Sequence, residues 1–120
     1  MPTKSNSLID HLSRSSELTI TVTGRKSGRS ISNPVWFVLE GDTLYLLPVH
    51  GSDTQWYKNV LKNPAIQIEA GGAKEEFRAV PTKDPKQVSS VADRFRTKYG
   101  PGDVKKYYSK LDVAVVIDMK

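Results

Sequence analysis

Two turn signals, Glu40-Gly41-Asp42 and Gly71-Gly72, each separate short runs of strand-forming residues, and they constrain the fold more than any other feature of the chain. The runs are Ser30–Leu39 and Thr43–Val49 around the first turn, and Ile66–Ile68 and Glu75–Val80 around the second. Neighbouring strands joined by tight turns run antiparallel. Leu18-Thr19-Ile20-Thr21-Val22-Thr23 alternates as a half-buried strand does, and Val113–Met119 reads as a buried terminal strand. The pattern predicts a mainly β, α+β fold, an antiparallel β-barrel of about six strands with peripheral helices rather than an alternating parallel sheet.

Punctuation between the strands locates the helices. Leu8, Ile9 and Leu12 behind several Ser and Asn residues predict a short N-terminal helix over Ser5–Leu12 that acts as a lid or staple. A second helix is expected over Thr54–Lys62, capped by Ser52 or Asp53 and stopped by Asn63-Pro64, with Trp56, Tyr57, Val60 and Leu61 as its apolar face. Asp84 caps a third helix bearing Val88, Val91, Ala92, Phe95 and Tyr99, and Asp103–Lys110 reads as a further helical turn. Asn33-Pro34 marks a bulge or an edge strand, because proline donates nothing to a ladder, and Pro48 places an irregular segment near the mouth of the sheet. Residues 1–120 are expected to form a single domain.

Composition removes several chemistries. With no cysteine there is no disulfide, thiolate ligand or cysteine nucleophile, and His11 and His50 alone make no metal site. No run of about 18 apolar residues could insert into a membrane. The first residues lack an apolar signal region, so a cytoplasmic location is expected. The net charge of +5 suggests an anionic partner without choosing one.

Three cations fall within the seven residues Thr23-Gly24-Arg25-Lys26-Ser27-Gly28-Arg29, between two strands. Its glycines allow amide groups to converge into an anion-binding nest, with Arg25, Lys26 and Arg29 adding charge-assisted bonds. A solvated hairpin turn has the same composition, and both readings stay open. The loop is not a P-loop, since the Gly-Lys-Ser/Thr ending and the following helix are absent. Clustering in one loop, rather than along a stripe, argues against a nucleic-acid interface, and no nucleic-acid partner is expected.

The series TGRKSG at Thr23–Gly28, then Pro34, Gly51, Trp56-Tyr57, Asn59 and Asn63-Pro64 resembles the deazaflavin-dependent nitroreductase and quinone reductase family of split β-barrel proteins. The resemblance covers about Leu18 to Glu69 and extends to the valine-rich last strand. It implies a split antiparallel barrel and the 8-hydroxy-5-deazaflavin coenzyme F420. By position it implies that Arg25, Lys26, Ser27, Gly28 and Arg29 grip the coenzyme tail, and that the backbone of Asn33, Pro34 and Val35 lies along the ring. Trp36 would lie near ring and substrate, His50, Gly51 and Ser52 would bind the coenzyme at the start of the second helix, Gly51 and Ser52 through their amides, and Trp56 and Asn59 would border the site. The chain departs from the family at Ile31, where an arginine is frequent, and at Val49 and His50, where a hydroxyl residue and a lysine are common. FMN is therefore the alternative cofactor, and carriage of a flavin-like or other anionic ligand the alternative activity.

Hydride chemistry belongs to such a coenzyme, so no catalytic triad is required, and none is present in the sequence. The acceptor expected from the resemblance is a small quinone, enone or nitro compound stacked against an aromatic wall of Trp36 with Tyr107 or Tyr108. Tyr107, Tyr108 and His50 are the side chains that could assist proton delivery. The resemblance also implies a homodimer.

Overall fold

The computed structural model describes residues 4–119, with side chains from Leu8 onward. Four helices, α1 (Lys4–Ser13), α2 (Gln55–Lys62), α3 (Pro85–Tyr99) and α4 (Pro101–Tyr107), surround seven strands. The strands are β1 (Leu18–Thr23), β2 (Ser30–Val35), β3 (Val38–Glu40), β4 (Thr43–Leu46), β5 (Ala65–Ala70), β6 (Ala73–Thr82) and β7 (Ala114–Asp118). They form one sheet in the order β2-β1-β5-β6-β7-β4-β3, with every neighbouring pair antiparallel. The architecture is a curled half-barrel of mixed α+β, split-barrel type.

Strand β6 is long enough to serve two half-sheets. Its first part pairs with β5 through Ala65↔Arg78, and from Ala79↔Ile117 onward it pairs with β7. The sheet thereby turns a corner without a chain break. The two ends of the sheet, β2 and β3, are consecutive in the chain, joined only by Trp36-Phe37.

That junction corrects the single strand expected over Ser30–Leu39. The Phe37 amide donates to the Tyr99 hydroxyl at 3.0 Å, and its carbonyl accepts from Lys98 Nζ at 2.8 Å and from the Tyr99 hydroxyl at 2.7 Å. Side chains of α3 thus take the donor and acceptor that a continuous ladder would have used, and the run becomes two strands. Pro34 lies within β2 opposite Thr19, and β2 is an edge, so its missing donor leaves no buried partner unpaired.

The alternation of β1, β4, β5 and β7 turns Leu18, Ile20, Leu44, Leu46, Ile68 and Ile117 into the curl. Leu8 and Leu12 of α1 and Trp56, Tyr57 and Val60 of α2 complete this core. A second cluster lies outside the curl, where Val88, Val91, Ala92 and Phe95 of α3 cover Val38, Leu47 and Ala114. Leu61 is the exception to the apolar face expected for α2, being half exposed, whereas Asn59 is buried. At about 100° per residue the buried arc runs from Asn59 through Trp56 and Val60 to Tyr57, and Leu61 falls about 40° beyond it.

The Gly71-Gly72 turn and the Asp84 cap are found as expected, the Asp84 carboxylate accepting from the Gln87 amide at 3.2 Å. Helix α2 is instead preceded by a 3-10 turn, Gly51–Asp53, and its N-cap is Thr54. Neither Ser52 nor Asp53 caps it. No helix among the described residues is long and apolar enough to cross a membrane.

Candidate functional site

Where β2 ends, the chain leaves a cavity of about 260 Å³ bordered by Pro34, Val35, Trp36, Val49, Tyr107 and Tyr108. The strand run brings the first three residues there, Val49 follows β4, and the two tyrosines close α4. The lining is mostly apolar and aromatic, with Glu17 as its one carboxylate. A larger, open groove of about 830 Å³ runs between β3 and α3 past Arg94 and Lys98, and none of the candidate coenzyme- or substrate-site residues lines it.

The Trp36 indole is held from one side. It stacks on Tyr99 with ring centroids 4.2 Å apart and planes 9° from parallel, and meets Tyr107 edge-on at 5.5 Å. Tyr108 tilts against it at 6.2 Å and makes an edge contact with Phe95 at 5.8 Å. Desolvation raises the Tyr108 hydroxyl well above the ordinary phenol range. The same burial, only partly offset by the bond to Phe37, pushes Tyr99 up to about 12. Near neutral pH both hydroxyls therefore keep their protons.

The basic loop lies at the opposite end of β2, about 17 Å away along a strand that rises 3.3–3.4 Å per residue. Gly24 donates to Arg29 O and Gly28 donates to Gly24 O, while Gly28 adopts φ +72. The loop is thus closed by its own backbone. Ser27 Oγ accepts from the Arg29 amide at 3.2 Å. Arg25 turns inward: its guanidinium donates to Asn59 Oδ1 at 2.8 Å and Gln55 Oε1 at 2.9 Å, and its amide also donates to Asn59 Oδ1, at 3.1 Å. Lys26 and Arg29 remain exposed to solvent.

The Gly51–Asp53 turn is organised by Asp112, sixty residues further along the chain. Ser52 donates its amide to Asp112 Oδ1 at 2.9 Å and its hydroxyl to Asp112 Oδ2 at 2.6 Å. Burial opposes charge on Asp112, but the two Ser52 bonds and Lys110 outweigh it and hold the carboxyl below its ordinary range. His50 Nδ1 lies 2.9 Å from Ser109 Oγ, and the His50 amide donates to Thr54 Oγ1 at 2.8 Å. Gly51 adopts φ +56, and a Cβ there would overlap the Asp112 carboxylate. Gly51→Ala is therefore expected to cost about 1–3 kcal/mol, read as a lower urea midpoint with an unchanged m-value.

The residues singled out from the sequence thus fall into three places. Pro34, Val35, Trp36, Tyr107 and Tyr108 share the cavity, with Asn33 one residue behind on β2. Arg25 and Asn59 bind one another, and Lys26, Ser27, Gly28 and Arg29 surround them in the loop. His50, Gly51 and Ser52 belong to the turn held by Asp112 and Ser109. Trp56 is a core residue, 5% exposed, with Nε1 lacking a partner among the described residues. Asp112, Gln55 and Tyr99 were missed as partners of these residues. Nothing local to them signals a contact 30 to 62 residues away.

Known proteins share the fold. A family model described as an uncharacterized protein conserved in bacteria, DUF2255, matches residues 8–115. The structure entitled F420-H2 dependent reductase (FDR-A) is similar, with a TM-score of 0.67 at 20% identity over 86% of this chain and 94% of that one. A structure described as a domain-swapped dimer gives 0.68 at 20% identity, over 86% and 80%. HutZ, described as the heme storage protein of Vibrio cholerae, gives 0.69 at 14% identity, over 93% and 87%. At these identities the likeness is one of fold.

Proposed function

The chain belongs to the DUF2255 family of proteins conserved in bacteria, and on that footing, with its split-barrel fold and its cavity, we propose that it is a deazaflavin-dependent oxidoreductase. The coenzyme is F420, and the acceptor a small quinone, enone or nitro compound. The observation that carries the reading is the placement of an aromatic-walled cavity and an exposed cationic loop at the two ends of one edge strand. A planar ring with an anionic tail needs both.

Fit can be judged group by group. The ring end suits a flat heterocycle, because Trp36 is already immobilised by Tyr99 and so loses little freedom on binding. Edge strand β2 has one side of its backbone without a strand partner, able to meet polar atoms of a ring. Lys26 and Arg29 suit the tail, whereas Arg25 acts chiefly as the pin that holds their loop to α2. When bound, the coenzyme supplies the hydride; the chain orients the ring and shields the cavity from water. Tyr108, whose burial keeps its hydroxyl protonated, and Tyr107 beside it at the cavity wall are the candidate proton donors, and His50 is tied to Ser109, the residue after Tyr108.

A fluorescence titration with oxidised F420, run beside one with FMN, tests the reading. Saturable F420 binding that weakens about tenfold in a Lys26→Ala/Arg29→Ala variant, and weakens further at high salt, is expected. Binding of FMN alone, or binding of F420 without turnover of any acceptor by its reduced form, would move the function to a flavin enzyme or to a ligand carrier. The neighbour described as a domain-swapped dimer supports a homodimer as the functional unit, which light scattering at micromolar concentration would test.

A further inference from the structure

The 3-10 turn Gly51–Asp53 would be a small anion cradle were it not already filled. Its Ser52 amide and hydroxyl point to one place, Gly51 contributes no side chain to crowd it, and Lys110 Nζ stands 3.3 Å from Asp53 and 3.7 Å from Asp112. The hydroxyl of Tyr57, 1% exposed and without a partner among the described residues, lies within the field of the same carboxylate. Asp112 fills the cradle with both of its oxygens.

We propose that Asp112 is a specificity-determining residue: its carboxylate is a built-in ligand that takes the donors of the Gly51–Asp53 turn and refuses a phosphate or carboxylate group there. The chemistry is simple competition. An incoming oxyanion needs the Ser52 amide and hydroxyl, both already bonded to an ionised acid, and would meet the negative charges of Asp112 and Asp53, with which Lys110 is already paired. A Cβ at position 51 would overlap the Asp112 carboxylate, so the carboxylate lies close against the glycine backbone. Resting on the coenzyme reading above, one consequence follows for the ligand: its acidic groups are confined to the Arg25–Arg29 end of β2. Ligands carrying phosphate near the turn are rejected.

The probe is inorganic phosphate, followed through the ¹⁵N-amide shift of Ser52 at constant ionic strength. In the wild-type protein this amide is expected not to titrate. In Asp112→Ala, and in Asp112→Val, which also removes the acceptor while filling more of the space, should the alanine variant fail to fold, it is expected to titrate saturably at least about tenfold more tightly. Adding Ser52→Ala should abolish phosphate-induced shifts of the neighbouring turn amides. Folded Asp112 variants that bind phosphate no better than wild type, or a gain that survives Ser52→Ala, would overturn the assignment. Because phosphate alone is the probe, failure here is separate from failure of the wild-type protein to bind F420, which would sink the coenzyme reading and leave the plugged cradle standing.

Discussion

Asn59→Ala is expected to destabilise the protein by about 2–4 kcal/mol and to release the basic loop from α2. Asn59 is 4% exposed and its single Oδ1 accepts from both the Arg25 amide and the Arg25 guanidinium, so truncation leaves a cation and a backbone donor without their acceptor. Bonds to a charged group are each worth about 1.5–3 kcal/mol net, and the vacated space adds a smaller packing term. Chemical denaturation measures the loss, and amide exchange in Gly24–Arg29 should rise. Asn59→Asp separates holding the loop from binding an anion. The aspartate keeps the acceptor in place and adds charge, so the fold should persist while the loop's net positive charge falls by one. F420 affinity dropping in Asn59→Asp with stability retained would mark the loop as the tail site. Unchanged affinity would count against it.

Tyr99→Ala should cost about 3–5 kcal/mol and Tyr99→Phe about 1–2, since the ring and the hydroxyl do different work. The ring backs Trp36 and touches Phe95. The hydroxyl accepts from the Phe37 amide and lies within 2.8 Å of the Ser16 and Phe37 carbonyls, and its one proton serves either carbonyl at a time. Losing it frees the Phe37 amide at the only covalent link between β2 and β3. Tyr99→Phe should therefore retain ring binding, whereas Tyr99→Ala should lose it. The phenol also gives a pH signature. Its pKa rises from the ordinary 10 to about 12 in the fold, so the protonated form is favoured by folding. That contribution is whole below pH 10 and disappears as pH climbs from 10 to 12. Thermal unfolding followed across that window should show a smaller alkaline loss in Tyr99→Phe than in wild type.

Much of the fold was legible because its determinants are local. The alternation in Leu18–Thr23 set one face of β1, the Gly71-Gly72 turn set the β5–β6 hairpin, and Asp84 set the start of α3. Each depends on neighbours within a few residues. The break at Trp36-Phe37 was not legible, because Lys98 and Tyr99 create it from more than sixty residues away. The same distinction runs through the candidate site. The cationic composition of Thr23–Arg29 is a property of the sequence, but that Arg25 faces inward to Asn59 while Lys26 and Arg29 face solvent was decided by the docking of α2 on β1. The resemblance put Gly51 and Ser52 at the start of the second helix, yet the occupancy of that turn by Asp112 depends on where the loop before β7 lands. What the sequence by itself determined was the antiparallel, hairpin-rich sheet, its apolar faces and the place of its positive charge. Tertiary structure alone decided which polar groups satisfy one another and which are left to meet a ligand, because those pairings are made across the fold, where burial forces each donor to find an acceptor and chain order carries no record of the choice.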